Sequence, residues 1–321
     1  FNMMTSRYNG RSQVSTITAA KTSPLRFKPV TLDDILPIRD ILLRYSTGRT
    51  CDFSIGGIFM WIDYFDYTYC ILNDTLFIKG VTEDDVTRPA FSLPIGKMGI
   101  EESVALLSDY CDIHRMELQF SAVPEEALPS LQTAGATHEE QLDDWSDYLY
   151  SAEALAALTG KKLSKKRNHV NRFITDNPGY KFEPLTAASL SAVKEFFHSS
   201  HLPLSKPALA DIEREQVIHV LDNLHRYPFE GAVLTTPADG VVAFTIGEVI
   251  RDTLHVHIEK MNHEIAGAGE TVNKLFAEMM TKRHPEIIYI NRQEDVGDPG
   301  LRHAKESYHP LALLRKYNVM F

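Results

Sequence analysis

The feature that most constrains the fold is an order of predicted elements that occurs twice along the 321 residues. Alternating and helical spacings of apolar residues predict the order β-α-α-β-β-β-α-β-α-β in each half. The first-half elements cover residues 25–30, 35–45, 55–61, 68–72, 75–80, 90–94, 100–110, 116–121, 124–132 and 145–150. The second-half elements cover residues 180–185, 187–198, 212–227, 231–234, 241–249, 253–260, 270–282, 286–291, 299–309 and 313–319. Each half is therefore predicted to form its own α+β domain around a mixed sheet.

The length also favours two domains, because single cores rarely extend much beyond about 150 to 250 residues. The predicted boundaries are a first domain over residues 25–150 and a second over residues 151–321 that begins with a basic linker helix. Residues 1–24 are rich in Ser, Thr, Asn and Gly and are predicted to be a flexible arm without a function.

The cysteines and the hydropathy of the sequence limit where in the cell the protein is expected to occur. The three cysteines, Cys51, Cys70 and Cys111, are far apart and odd in number, which supports neither a disulfide framework nor a cysteine zinc site. No apolar run reaches the roughly 18 residues that a membrane span needs, and no signal peptide pattern opens the chain. We therefore predict a cytoplasmic protein without a metal, whose contact with a membrane would be peripheral, at its inner face.

A local basic segment contrasts with the acidic chain. Residues 151–175 carry a net charge of +5, whereas the whole chain carries −10. The cations are Lys161, Lys162, Lys165, Lys166, Arg167 and Arg172. At about 100° per residue most of them share one sector opposite Leu163, Val170 and Ile174, which predicts an amphipathic helix from Lys161 to Arg172. Such a face suits phosphates of nucleic acid, lipid headgroups or nucleotides, while the alternative is a solvated surface helix.

Two long motifs resemble one bacterial family. Residues 158–173 resemble the signature "GKKxxKKRNHxNxF" of the family called DUF2156, which is similar to the C-terminal domain of phosphatidylglycerol lysyltransferases. Residues 289–310 resemble that family's ending, "INREED-GDxGLRxAKxSYxP", and Ile258-Glu259-Lys260 adds a third point of similarity. The resemblance runs from about Leu25 to the C-terminus.

This resemblance implies a fold and a chemistry. The element order is that of the GCN5-related N-acetyltransferase (GNAT) fold, and two copies in tandem resemble the Fem-type peptidyltransferases. The family implies acyl transfer with an aminoacyl-tRNA as donor and, in the lysyltransferases, a lipid headgroup as acceptor. The chain lacks the transmembrane flippase portion of those enzymes, which leaves the lipid acceptor open.

A glycine turn is the candidate cofactor site. Acetyltransferases of this fold bind the coenzyme A pyrophosphate at a helix N-terminus, through a Gln/Arg-x-x-Gly-x-Gly/Ala turn. Gly267 and Gly269 match its glycines, but Glu264 stands at its first position and Glu270 follows it. Two negative charges disfavour a pyrophosphate, and the alternative is a tight strand-to-helix turn.

The C-terminal motif supplies candidate substrate ligands. Asn291 and Arg292 stand where a strand ends, a common place for ligand contacts in open sheets. Arg302 and Lys305 share one face of a helix whose predicted N-cap is Asp298. These residues and Lys260 are predicted to hold a charged substrate, and a helix stabilised by ion pairs is the alternative.

Three further residues are candidates for proton transfer. We assign Glu259 and Asp295 as possible bases and Tyr308 as a possible donor to the leaving group, and the alternative for Tyr308 is a core aromatic. His255 and His257 alternate onto the strand face of Glu259 and could ligate zinc with it, but no fourth ligand is evident. We therefore favour a strand face that lines a cleft, or an exposed sheet face.

Three functions follow from these residues. The first is aminoacyl transfer from aminoacyl-tRNA to a lipid headgroup or other amine or hydroxyl acceptor, catalysed by the second domain. The second is a coenzyme A-dependent N-acyltransferase that acts on a small amine. The third is a non-catalytic module that binds anionic lipid or nucleic acid. The first domain lacks a complete glycine turn at residues 95–101 and is predicted to be a structural partner.

Overall fold

The computed structural model describes residues 21–200 and 207–321, so most of the predicted N-terminal arm lies outside the described residues. The strands are β1 (Lys28–Pro29), β2 (Thr68–Leu72), β3 (Thr75–Val81), β4 (Pro89–Phe91), β5 (Ile95–Gly96), β6 (Gln119–Pro124), β7 (His138–Gln141), β8 (Asp147–Ser151), β9 (Lys181–Pro184), β10 (Glu230–Thr236), β11 (Gly240–Ile250), β12 (Thr253–Met261), β13 (Tyr289–Asn291), β14 (Ala312–Leu314) and β15 (Lys316–Met320). The helices are α1 (Ile35–Tyr45), α2 (Ile55–Phe59), α3 (Ile62–Phe65), α4 (Ile100–His114), α5 (Leu128–Thr133), α6 (Ala152–Ala157), α7 (Ser164–Asp176), α8 (Ala187–Ser199), α9 (Pro207–Asp222), α10 (Ala268–Arg283) and α11 (Pro299–Glu306).

Local sequence signals account for several of these elements. The predicted hairpin of β2 and β3 is confirmed, with Leu72 paired to Thr75 across a two-residue turn. Asn73 and Asp74 both have positive φ, 50° and 52°, which is the backbone that a type I′ turn requires. The predicted cap of α11 is also confirmed, because the Asp298 side chain accepts hydrogen bonds from two backbone N–H groups of its first turn.

The strands form two mixed sheets. The first sheet has the order β1-β2-β3-β4-β6-β15-β7, with β5 paired to β3, and the second has the order β14-β8-β13-β12-β11-β10-β9. Among the described strands, each sheet contains one parallel contact, β4 with β6 in the first and β12 with β13 in the second. The mixed α+β architecture predicted for both halves is therefore present.

Two strands lie in the sheet opposite to the one predicted. Residues 145–150 were predicted to close the first half, but β8 lies inside the second sheet between β14 and β13. The predicted last strand, residues 313–319, is two strands, and the second of these, β15, lies in the first sheet between β6 and β7. An apolar strand pattern specifies a strand but not its neighbour, because pairing depends on contacts distant in sequence. The predicted boundary after residue 150 therefore does not separate the two sheets.

A shared core joins the halves. One cluster of buried side chains combines α1, α2, β2 and β3 of the first half with α8, α9 and β10–β12 of the second. Its members include Ile38, Phe59, Phe197 and Phe244, all nearly or fully buried. Separate clusters lie beneath α4 and α5 and beneath α6 and α10. Burial of apolar surface across the junction makes the two halves one packed unit.

The second sheet opens at its parallel contact. β12 and β13 pair only from Thr253 with Tyr289 to His255 with Asn291, after which β13 ends and β12 continues to Met261. A bulge at His257 interrupts the pairing of β12 with β11, because Ile246 pairs with Ile258 while Gly247 pairs with Val256. The early end of β13 leaves the second part of β12 without a strand partner on that side.

Candidate functional site

Arg292 occupies the gap where β12 and β13 diverge. It follows β13 directly, and only 15% of its side chain is exposed. Its Nη2 lies 3.3 Å from Oε1 of Glu259, and its guanidinium lies 4.9 Å from the ring centre of Tyr308 and 5.7 Å from that of Tyr150. Burial would lower the pKa of this guanidinium, but Glu259 raises it above the usual value, so the group stays charged.

Two buried polar atoms beside this ion pair lack partners among the described residues. Nη1 of Arg292 donates no hydrogen bond there, and Oδ1 of Asn273 accepts none. Nδ2 of Asn273 donates to Oε2 of Glu259 at 3.3 Å, which places both atoms around the same carboxylate. Buried polar groups are nearly always satisfied. A free donor and a free acceptor at the open part of the sheet therefore mark a place for a polar ligand.

Lys166 connects the basic segment to this place. Its Nζ lies 4.3 Å from the ring centre of Tyr308, on whose ring Arg292 also packs. Partial burial lowers the pKa of Lys166, and Arg292 acts in the same direction while Glu270 opposes it. An ammonium and a guanidinium thus share one aromatic ring, with Glu259 beside the guanidinium.

The remaining cations of the basic segment separate into two groups. The helix begins at Ser164 and not at Lys161, so Lys161 and Lys162 lie in the preceding loop, where Gly160 has a φ of +86°. Lys161, Lys162 and Lys165 are exposed. Arg167 instead donates from Nη1 to the carbonyls of Leu158 at 2.6 Å and Gly160 at 3.3 Å. It satisfies carbonyls at the end of α6, which is a structural contact that the charge pattern did not reveal.

The predicted glycine turn packs closely against the basic helix. Gly267 caps α10 with a φ of +81°, and a Cβ at this position would lie 2.3 Å from the carbonyl oxygen of His169. Gly269 faces Met261. His169 Nδ1 lies 3.0 Å from the Glu270 carboxylate in the first turn of α10. Close packing thus explains Gly267, and its role as a phosphate ligand stays a prediction.

Most of the C-terminal motif stabilises the segment that carries Arg292. Lys305 Nζ donates to the carbonyls of Arg292 and Glu294, both at 2.6 Å, and burial lowers the pKa of Lys305 to about 8. Arg302 Nε donates to Asp295 at 3.0 Å. Burial would raise the pKa of Asp295, but the hydrogen bonds from Arg302 and Tyr148 lower it.

Other predicted residues lie apart from Arg292 or are more buried than expected. Lys260 forms an ion pair with Glu213. Asn291 is buried and donates to Asp147 at 2.9 Å and to the carbonyl of Arg49 at 2.8 Å. The prediction that His255 and His257 line a cleft or an exposed face is wrong, since they are only 1% and 8% exposed. The bulge and the packing of α2 on this sheet enclose them.

A buried charge cluster at the junction of the sheets was missed. Lys316, at the start of β15, is 2% exposed, and its Nζ lies 2.8 Å from Asp52, 2.9 Å from Asp147 and 3.5 Å from Glu294. Burial would raise the pKa of Asp147, but Lys316 lowers it to about 2, whereas burial raises that of Glu294 to about 7. Four chain segments meet here, and no local motif signals the cluster.

Cys51, Asp52 and Asp147 have the donor atoms and spacing of a cation site. Lys316 Nζ lies 3.6 Å from the Cys51 sulfur as well as beside both carboxylates, so its ammonium supplies the positive charge that the acids need.

Comparison with known proteins identifies the family. Residues 44–320 match the model of the C-terminal domain of phosphatidylglycerol lysyltransferase. This chain belongs to that family. The lysyltransferase resemblance stated for the two motifs is therefore confirmed, and the family supports an acyltransferase.

Solved structures agree with this membership. A conserved protein of unknown function from Bacteroides thetaiotaomicron is 28% identical, with a TM-score of 0.80 over 92% of this chain and 99% of that one. L-PGS from Bacillus licheniformis is 13% identical, with a TM-score of 0.55 over 86% and 93% of the two chains. FemX is 9% identical, with a TM-score of 0.60 over 92% and 98%. The last two show the same fold and confirm the predicted tandem GNAT-like, Fem-type architecture.

One curated relative aligns over part of its length. An uncharacterized protein of Mycoplasmoides gallisepticum is 21% identical over 178 residues, which are 54% of this chain and 56% of that protein. The chain thus spans little more than half of that relative. Within the described residues of this lysyltransferase-family chain, no helix is both long enough and apolar enough to cross a bilayer.

Proposed function

We propose that this chain transfers an aminoacyl group from an aminoacyl-tRNA to the amine or hydroxyl of an acceptor such as a lipid headgroup. The observation that carries the proposal is Arg292, a buried and charged side chain whose Nη1 has no partner among the described residues. Lys166 reaches the same aromatic ring from a segment of exposed lysines. Phosphates bound along these lysines would therefore lie next to Nη1 of Arg292, which is already positioned to donate a hydrogen bond.

The exposed lysines suit the phosphates of the tRNA acceptor end. Lys161, Lys162 and Lys165 lie on the loop and first turn that precede Lys166 along the chain. Phosphate contacts of this kind position a nucleic acid without reading its sequence. Lys166 would then meet the 3′-terminal nucleotide, and the ester would lie beside Arg292.

The chemistry needs no covalent enzyme intermediate. The acceptor nitrogen or oxygen attacks the ester carbonyl, the ester C–O bond breaks, and the terminal ribose hydroxyl leaves with a proton. The developing oxyanion would accept a hydrogen bond from Nη1 of Arg292, and such a donor typically contributes about 100- to 1000-fold in rate. Glu259 is our candidate for taking the proton of the acceptor, and Tyr308 for protonating the leaving oxygen. Asp295 accepts shorter hydrogen bonds, 3.0 Å from Arg302 and 2.7 Å from Tyr148, than the 3.3 Å contacts of Glu259, and is a weaker candidate base.

The assignment of aminoacyl-tRNA as the acyl donor is tested by charge reversal with a matched control. We expect Lys161→Glu, Lys162→Glu and Lys165→Glu together to weaken filter binding of charged tRNA and to reduce its salt dependence by about two in the log–log slope. The control reverses the exposed Lys97, Lys181 and Lys282, which changes the net charge equally. An equal loss of tRNA binding in both triple variants would refute the assignment.

Transfer itself is tested with Arg292 variants. We expect Arg292→Met to lower kcat for transfer of labelled amino acid about 100-fold or more while tRNA binding is retained. Coenzyme A binding without tRNA binding would instead support the small-amine N-acyltransferase. Binding of anionic lipid or nucleic acid without any turnover would support the non-catalytic module.

A further inference from the structure

A chain of buried hydrogen bonds runs from the first half of the molecule to the residue after Arg292. The backbone N–H of Gly56, in α2, donates to Oε1 of Glu248 at 2.7 Å. Nε2 of His257 lies 2.6 Å from the same oxygen, and Nδ1 of His257 lies 2.7 Å from Nε2 of Gln293. These hydrogen bonds join Gly56, Glu248, His257 and Gln293 in that order. They cross the junction between the halves and end beside the proposed site.

The chemistry of the groups sets the direction of each bond. Glu248 accepts at Oε1, so His257 donates from Nε2–H. Nε2 of Gln293 is an amide nitrogen that only donates, so Nδ1 of His257 accepts from it. The imidazole therefore links a carboxylate on one side to a side-chain amide on the other.

This series of hydrogen bonds constrains Arg292 through the backbone of the next residue, Gln293. Gln293 has a φ of +63°, and its backbone N–H donates to Oδ1 of Asn291 at 2.7 Å. A non-glycine residue held in the left-handed region needs contacts that compensate for its strain. The hydrogen bond to His257 is one of these, and Lys305 supplies another from the opposite side, at the carbonyl of Arg292. The direction of the Arg292 side chain depends on this turn.

Gly56, in the first half of the molecule, leaves the space that His257 needs in this series of hydrogen bonds. A Cβ at Gly56 would lie 2.3 Å from the ring of His257, so only glycine permits this position of the imidazole. His257 is 8% exposed and Glu248 1%, so bulk water does not compete for these bonds. The bulge in β12 falls at His257 itself, which is where bulges redirect side chains next to functional sites.

We propose that His257 and Gln293 are positioning residues that hold Arg292 in its reactive orientation, and that the first half acts on the reaction through Gly56 and Glu248. This inference rests on the proposed aminoacyl transfer for its catalytic consequence. The side chains of Gln293 and His257 themselves touch no reacting atom. Misplacement of a catalytic group by about 1 Å can cost about 100-fold in rate, so loss of this support has a measurable effect.

The test is a double-mutant cycle on transfer. Gln293→Leu removes the amide that His257 accepts, and we expect kcat to fall about 10- to 100-fold while KM for aminoacyl-tRNA changes less than about twofold. In an Arg292→Met background the same substitution is expected to have no further effect, because the group being positioned is gone. His257→Asn, which keeps an acceptor near Nδ1, should be less harmful than His257→Gln, which does not.

A second measurement is independent of turnover. The side-chain Nε–H signal of Arg292, assigned by its loss in Arg292→Lys, is recorded by ¹H–¹⁵N NMR in the wild type and in Gln293→Leu. At a temperature well below the melting temperatures of both proteins, we expect one sharp signal in the wild type and a broadened or displaced signal in the variant. An unchanged signal in the variant overturns the inference, as does an equal loss of kcat in the presence and absence of Arg292. Absence of transfer by the wild type would refute the proposed function alone.

Discussion

Replacement of Lys316 by Met should destabilise the protein strongly. Lys316 lies 2.8 Å from Asp52 and 2.9 Å from Asp147 and is almost fully buried, and Met keeps most of its volume without its charge. Removal of one partner from a buried ion pair costs about 3 to 5 kcal/mol, because the remaining charge is left uncompensated. With an unfolding entropy of about 0.7 kcal/mol per kelvin for 321 residues, the melting temperature should fall by about 4 to 7 °C.

The assay is thermal unfolding at pH 7, followed by circular dichroism. Lys97→Met is the matched control, because Lys97 is exposed and its loss should change the melting temperature by less than about 1 °C. Asp147→Asn in the Lys316→Met background should recover about half of the loss, since it removes one unpaired charge and supplies an amide toward Glu294. A fall of less than about 1 °C in Lys316→Met, or further destabilisation by Asp147→Asn, would refute this account of the cluster.

Two other predictions concern the same fold. The pKa of Glu294 is raised from 4.5 to about 7, so the folded state holds this proton more tightly, and the stability it contributes below pH 4.5 is lost as the pH rises through 7. Melting temperatures at pH 5, 6, 7 and 8 should therefore fall more steeply in the wild type than in Glu294→Gln, and parallel curves would contradict the assignment. Arg167→Ala should cost about 1.5 to 3 kcal/mol through its lost bonds to Leu158 and Gly160, without changing the salt dependence of tRNA binding. The exposed Arg172→Ala is its control in thermal unfolding, and a loss of tRNA binding equal to that of the lysine triple variant would argue for a phosphate contact instead.

The candidate site was predicted only in part. The C-terminal motif led to Arg292 and the segment Ile258-Glu259-Lys260 led to Glu259, and the structure places these two side chains 3.3 Å apart. Lys166 came from the basic segment. Three cations that were predicted to bind substrate instead bind groups of the protein itself. Arg167 and Lys305 donate to backbone carbonyls, and Arg302 donates to the carboxylate of Asp295. Charge type is visible in a sequence, whereas the partner that neutralises it is not.

Residues that act across the junction gave no local signal. Gly56 and His257 are 201 positions apart, and Lys316 meets acids from three other segments. His257 belongs to an alternating strand pattern with His255 and Glu259, but that pattern does not indicate its contact with Gly56, and no spacing pattern indicates the partners of Lys316. Only the packing of α2 on the second sheet and the exchange of β8 and β15 brings them together.

The sequence alone determined most of the elements of this protein, its family and its turn chemistry, because periodicity, caps and turn residues act over a few positions. The hairpin at Asn73 and Asp74 and the helix cap at Asp298 are examples. The short elements β5, β7 and α6 were not predicted. The tertiary structure decided which sheet each strand joined and which charges became buried. Strand pairing and burial depend on contacts between distant segments, whose free energies no local pattern specifies.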